Sequence, residues 1–596
     1  MFAPSSRKLS VLSYRAVSKA LTGSVIRRSS FKTSIRFTSS ASSDSFSAGS
    51  SSKIHNTKWL VSSAIAAAAA GIYLTYNLQQ DTISNNSASA TSNNKKRIIP
   101  VSEFIKHNKK EDCWVAINGE VYDMTEFVPN HPGGQKVILQ NAGYDATPIF
   151  APIHPKGTIE KYLPEEKHLG KLDGKAPLKP KKADSSEERR LDLLERMPAL
   201  SSIQNVHDFE FLAKNILPAG AWAYYSCGSD DEISMRENHY AYQRIFFRPR
   251  VCENVADVDT STTLLGSKAS VPFYVSATAL AKLGNPGGEC SIARAAGKEG
   301  VIQMISTLSS NSLEEIAEAR QPGATQWFQL YVNEDRNLAK ELICKAEKLG
   351  MKAIFVTVDA PSLGHREKDE RAKGGVDTDL DLGDDIERQS GASKALSSFI
   401  DCKVNWSDIR DIKEYTKLPV LVKGVQRVED IVKAADCGCA GVVISNHGGR
   451  QLDTAPPPVE VLAEAVPILD RMEKLKPGFE IFIDGGVRRG TDILKAIALG
   501  DQKVTVGVGL GRPFLYANTA YGEQGVRKAI RLLKDEMTID MRLMGVTNLK
   551  QLNRNFLNLK KLYSGKEATD SLYHSNYQEL TPVDFRESKA PITKAN

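Results

Sequence analysis

The eight cysteines of this 596-residue chain are scattered, and no two form a C-x-x-C pair; Cys437-Gly438-Cys439 is the nearest approach. That spacing excludes a zinc ribbon and offers no disulfide framework, so they read as free thiols. C-x-x-C-H is missing as well, which rules out a covalently attached haem. Acidic residues are nearly absent from residues 1–80, where Asp44 stands alone against Arg7, Lys8, Arg15, Lys19, Arg27, Arg28, Lys32, Arg36, Lys53 and Lys58. This stretch carries a formal +9, and since the whole chain is +7 the remainder is −2. Basicity therefore belongs to the leader, and there is no case for nucleic-acid binding. Long apolar runs are scarce too: one, Trp59 to Leu78 with alanine from Ala66 to Ala70, is just long enough to span a bilayer. Elsewhere the content, 41% hydrophobic and 25% charged overall, is that of a soluble globular protein with room for more than one domain.

A Ser- and Arg-rich, acid-poor opening has the composition of a mitochondrial presequence. Followed by an apolar run, as in residues 1–80, it resembles the two-part signals that arrest a protein at the inner membrane and release it by cleavage. The expected location is the mitochondrial intermembrane space, with no permanent membrane anchor after processing; a retained single-span anchor is the alternative. Residues 81–96, rich in Ser and Asn, read as an unstructured spacer in which cleavage could fall.

Residues 97–175 read as a small α+β domain. From Trp114 two alternating apolar segments are joined at Asn118-Gly119, a strong hairpin signal. His131-Pro132-Gly133-Gly134 follows, and after an amphipathic helix comes His154 between Ile153 and Pro155. Two histidines on loops in apolar surroundings could fill both axial positions of a haem iron, which suits electron transfer. The pattern resembles the cytochrome b5 family, and by that resemblance His131 and His154 are the iron ligands of a non-covalent haem b. Residues 176–200, charged and punctuated by proline, read as a mobile hinge rather than packed structure.

Between 201 and 563 eight short apolar runs alternate with helical patterns: Val271–Ala279, Val301–Thr307, Gln326–Val332, Ala353–Ala360, Pro419–Val425, Gly441–His447, Phe479–Gly486 and Val504–Gly511. Eight strand–helix repeats predict an α/β chain with a (β/α)₈ TIM barrel. The runs end in polar or glycine-rich text, so Ala277, Thr278, Ala279, Ser306, Gln329, Thr357, Lys423, Asp484, Gly485, Gly486, Arg488, Gly511 and Arg512 should share one barrel mouth. Glycines with Arg488 and Arg512 after the last two strands are the barrel's usual phosphate site, which implies a phosphorylated cofactor. Gln329, Thr357 and Ser306 could bond an isoalloxazine edge and Lys423 could hold negative charge beside it, so the cofactor suggested is FMN. In Ser445-Asn446-His447-Gly448-Gly449-Arg450, His447 could move a proton near neutral pH and Arg450 could clamp a carboxylate.

With Asp484-Gly485-Gly486-Val487-Arg488-Arg489 and Gly511-Arg512-Pro513, this stretch resembles the FMN-dependent L-2-hydroxy acid dehydrogenase and oxidase family. Fused to a b5-like domain behind a mitochondrial leader, it is similar to the cytochrome c-linked lactate dehydrogenases of that family. The resemblance implies that His447 is the active-site base, paired with Asp359. Arg450 and Tyr224 would bind the substrate carboxylate and Tyr331 the hydroxyl, with Arg366 assisting and Lys423 stabilising reduced flavin. It also implies cytochrome c as acceptor and a homotetramer. Leu308 falls where plant glycolate oxidases have Trp, and like Ala279 it leaves room for a methyl group, which favours L-lactate. The C2 hydrogen could leave as hydride or as a proton. An oxygen-using oxidase with a vestigial haem domain, an electron carrier with a dead barrel, and a flavin-free phosphate-binding isomerase remain as competing readings.

Three segments complete the expectations. Glu367 to Ser398, charged and Gly-rich, reads as a mobile excursion over the mouth. Around 501–508 the chain runs a few residues longer than the family pattern, which leaves the eighth strand's register open. The tail 564–596 is expected to pack across a neighbouring subunit.

Overall fold

The computed structural model describes residues 97–131, 135–179, 185–372 and 399–563. The leader, the spacer, the tail and all of the excursion beyond Ala372 lie outside the described residues. Among the described residues no helix is long and apolar enough to cross a membrane.

In the small domain the five-stranded sheet is built around the expected hairpin. Asp112–Ile117 pairs antiparallel with Glu120–Asp123, and Asn118 and Gly119 make the turn with φ of 54° and 81°. Two successive left-handed residues are what a two-residue turn between right-twisted strands requires. His168–Asp173 continues the sheet, flanked by Ile98–Pro100 on its far side. Alternation sends Cys113, Val115 and Ile117 to one face, where they pack with Val128, Ile138 and Ala146. Ala116 goes to the other, with Ile99, Phe104, Val121 and Leu172.

The large domain is a closed barrel of eight parallel strands: Phe273–Val275, Gln303–Ser306, Gln326–Leu330, Ile354–Thr357, Val420–Val425, Gly441–Ile444, Glu480–Asp484 and Val506–Leu510. Each falls inside its expected apolar run. Within a strand one set of residues faces outward to the helices, as Ile305, Phe328, Ile354, Val422, Val442 and Ile483 do. The other set fills the bore: Tyr274, Met304, Trp327, Phe355, Leu421, Val443 and Phe482. Trp327 meets Tyr274 and Phe482 edge-on with ring centroids 5.3 and 5.4 Å apart, so the bore is solid and no channel runs through it. The eighth strand is glycine-rich because this plug is full: a Cβ on Gly507 would lie 2.5 Å from the Phe482 ring.

The register of that strand is settled by Val508, which pairs with Phe273 on one side and Ile483 on the other. In the turn before it Asp501 and Gln502 take left-handed backbone, with φ of 53° and 58°. The hinge reading needs correction. Ser185–Glu195 is a helix, Leu193 is buried, and Arg190 donates to the Ile216 carbonyl at 2.9 Å. The charged text hid one buried anchor, Leu193, since Leu191 and Leu194 on either side of it are exposed. The excursion reading is also amended at its start, since Glu367–Ala372 is helical, with Asp369 buried.

Candidate active site

The carboxyl ends of the strands surround a cavity enclosing about 1020 Å³ of empty space, open solvent at its mouth included. It is lined by Tyr224, Ala277, Thr278, Ala279, Ser306, Gln329, Tyr331, Thr357, Arg366, Lys423, His447, Arg450, Asp484, Gly485, Gly486, Arg488, Gly511 and Arg512. Asp359 stands just behind that wall, against His447. Leu308 is not among the lining residues; its backbone N–H donates to the Ser306 hydroxyl at 3.1 Å.

The sixth strand ends at Ile444, and the chain then turns through three successive left-handed residues, His447, Gly448 and Gly449, with φ of 58°, 66° and 75°. Two glycines make such a turn affordable, and the histidine is held there by what it touches. Its Nδ1 faces Asp359 Oδ1 at 2.9 Å, and its Nε2 faces the Tyr331 hydroxyl at 3.3 Å. Asp359 reaches this position because strand five bulges at Gly424, whose φ is 106°; a Cβ there would lie 2.4 Å from the Asp359 carboxylate carbon.

Charge orders the cluster. Burial pushes the Asp359 carboxyl up, but His447 and the Lys423 ammonium outweigh it, so the group lies below the usual carboxylate range. For His447 burial dominates over the help of Asp359, and the imidazole lies below its ordinary value, neutral at physiological pH. Burial would lower Lys423, yet Asp359 and Asp484, at 4.0 and 3.7 Å, hold it above the usual lysine value. The result is a neutral base backed by an anion, with a fixed cation beside it.

Ser306, Gln329 and Thr357 form one relay across strands two to four: Ser306 Oγ donates to Gln329 Oε1 at 3.1 Å, and Gln329 Nε2 donates to Thr357 Oγ1 at 2.8 Å. Arg450 lies over the Tyr224 ring at 5.1 Å, and its Nη1 donates to the carbonyls of Tyr224 and Cys227. That leaves its Nε and Nη2 edge for a ligand. Arg512 donates to the carbonyls of Tyr225, Gly448 and Cys227, which takes three of its five N–H groups. Sequence reasoning missed Tyr225 and Leu515 in the wall, and Gln451 behind it. Gln451 directly follows the SNHGGR motif, and that adjacency was the one signal available.

In the small domain the His131 and His154 rings stand 6.3 Å apart at 39°. With metal–nitrogen bonds of about 2 Å on each side, imidazoles sharing one iron stand about 6 Å apart. The His154 ring stacks on Phe150 and its Nδ1 lies 3.2 Å from the Phe150 carbonyl, an arrangement that presents Nε2 as the free ligand. Burial holds His154 below its ordinary value, in the neutral form that binds metal.

The sequence profile of the FMN-dependent dehydrogenases matches residues 213–559. The chain belongs to that family. Residues 100–173 match the cytochrome b5-like heme/steroid binding domain. Among relatives, L-lactate dehydrogenase (cytochrome) of Wickerhamomyces anomalus is 55% identical over 81% of this chain and 84% of its own. The enzyme of the same name from Saccharomyces cerevisiae is 51% identical over 83% and 85%. The flavin-binding domain of baker's yeast flavocytochrome b2 superposes with a TM-score of 0.60 at 50% identity, covering 68% of this chain and all of that structure.

This FMN-dependent dehydrogenase therefore carries two cofactors, FMN in the barrel and haem in the b5-like domain. The barrel residues fit the first. Asp484 Oδ1, buried at the cavity wall, has no hydrogen-bond partner among the described residues and suits a polyol hydroxyl. The cradle of Gly485 and Gly486 with Arg488 suits a phosphate. The facing imidazoles fit the second.

Proposed function

We propose that this chain oxidises L-lactate to pyruvate and delivers the electrons through its b-type haem to a cytochrome c. The observation that carries the reading is the row Asp359–His447–Tyr331 at the mouth of a flavin cavity that also presents Arg450, on a chain with a facing histidine pair. Bound FMN supplies an acceptor for two electrons that can be passed on one at a time. Arg450 holds the substrate carboxylate through its Nε and Nη2 edge, with Tyr224 beside it and Arg366 adding positive charge. Tyr331 bonds the C2 hydroxyl and orients it toward His447. The neutral His447 accepts a proton at Nε2, and Asp359 at Nδ1 stabilises the imidazolium that results. Lys423 keeps a permanent positive charge beside the cavity, where negative charge grows during reduction. The residues serve either a hydride or a carbanion route.

Two relatives at 51% and 55% identity whose name specifies lactate and a cytochrome acceptor support the substrate and partner. The leader's composition supports the mitochondrial intermembrane space, with the apolar segment removed on processing, and the family resemblance supports a homotetramer. The test is anaerobic stopped-flow mixing with L-lactate: flavin absorbance should bleach first, haem reduction should follow, and added cytochrome c should be reduced. Rapid peroxide formation in air with an oxidised haem would instead make the protein an oxidase. A flavin that L-lactate leaves untouched would make the barrel non-catalytic.

A further inference from the structure

Gln451 has no part in the chemistry above, yet its side chain is buried and every polar capacity it has is used. Its Nε2 donates to the carbonyls of Asp359 at 2.9 Å and Ser362 at 2.8 Å. Its Oε1 accepts from Gly364 N at 3.4 Å and from Arg366 Nη2 at 3.3 Å. The segment from 359 to 366 is thus pinned to the loop that carries His447 and Arg450. The contact leaves no slack at Gly364, where a Cβ would come within 2.6 Å of the carbonyl oxygens of both Arg450 and Gln451. We infer that Gln451 is a positioning residue that sets two groups of the site at once: the Asp359 carboxylate behind His447, and the Arg366 guanidinium that faces the substrate carboxylate.

A primary amide is the side chain suited to this place. Glutamate would set an oxygen against two carbonyls, and lysine would leave Arg366 without an acceptor. Arg366 needs one, because burial and the neighbouring Arg450 bring its guanidinium down to about 10. A neutral oxygen holds it without cancelling the charge that attracts lactate.

The inference rests on the lactate reading, and the test separates the two. In the holoenzyme with FMN and haem bound, flavin reduction is followed against L-lactate concentration and pH, and pyruvate affinity is measured by flavin absorbance. If L-lactate fails to bleach the parent protein, the functional reading fails. If the parent bleaches, Gln451→Met should lower the limiting rate and weaken pyruvate binding, each by about tenfold or more. The acid limb set by His447, which faces Asp359, Lys423, Arg366 and Tyr331, should move to lower pH as Asp359 loses alignment. Gln451→Glu loses both donated bonds and sets a negative charge beside Arg366, so its rate should fall likewise and pyruvate binding should weaken too, by about tenfold or more. Should Gln451→Met fail to retain flavin, Gln451→Glu alone decides by the same measurements. Unchanged rate, acid limb and pyruvate affinity in whichever variants hold flavin would overturn the role.

Discussion

His447 is a non-glycine residue in left-handed backbone, a conformation that costs of order 1–3 kcal/mol and persists only where surrounding contacts over-determine it. Here the contacts are Asp359 at Nδ1 and Tyr331 at Nε2, so the strain aims the imidazole. His447→Gln removes the base but keeps a side chain that can bond Asp359. Flavin and haem spectra should survive, and L-lactate-driven bleaching should slow by about 10²–10⁴-fold. Near-normal bleaching would remove His447 from its role. The pH dependence has a definite sign. Burial lowers the imidazole below its ordinary value of 6.5, so the reactive neutral form persists into mild acid and activity is lost only as pH falls through that lower value. Asp359 opposes this by favouring the imidazolium. Asp359→Asn should therefore shift the acid limb of kcat/KM further down while cutting the rate by about 10²–10⁴-fold, because the cation formed on proton transfer loses its counter-ion. A limb that moves up would show that Asp359 acts otherwise.

At the scale of elements, what the sequence made legible follows from period. All eight barrel strands lie within apolar runs visible beforehand, because strands buried on both faces must be apolar nearly throughout, and their ends are marked where polar residues begin. The hairpin at Asn118-Gly119 was equally plain, since few dipeptides tolerate two left-handed residues. Features that depend on distant partners were hidden. Ser185–Glu195 was read as a hinge because its charged text carries one buried side chain, Leu193, and its hold on the barrel, Arg190 to the Ile216 carbonyl, lies far along the chain. The bulge at Gly424 belongs to the same class: nothing in Lys423-Gly424-Val425 announces that strand five must make way for a carboxylate on strand four's extension. Gly424→Ala tests it. The methyl group would meet Asp359 at 2.4 Å and the backbone would be held at φ 106°, so about 1–3 kcal/mol of stability should be lost. Thermal denaturation reads that loss, and lactate-driven bleaching should fall with it, since Asp359 must move away from His447. A variant of unchanged Tm and rate would show that the bulge is not needed to seat the carboxylate.

For the whole molecule, the two sites work as a converter only if electrons cross from the barrel to the b5-like domain, and each site can be silenced alone. The His131 and His154 rings face one another in the small domain, and among the described residues the flavin cavity's lining comes from the barrel domain. Removing one axial ligand should therefore leave the oxidation of lactate intact. His131→Ala should abolish the b-type absorption bands, since one imidazole cannot hold the iron in its bis-histidine state. Anaerobic bleaching of flavin by L-lactate should proceed at the parent rate, within about twofold. Reduction of cytochrome c should collapse, while an artificial dye that takes electrons directly from flavin should still turn over. The contrast between dye and cytochrome c locates the haem in the path: if cytochrome c reduction survives His131→Ala, electrons leave the flavin directly and the small domain is not a relay.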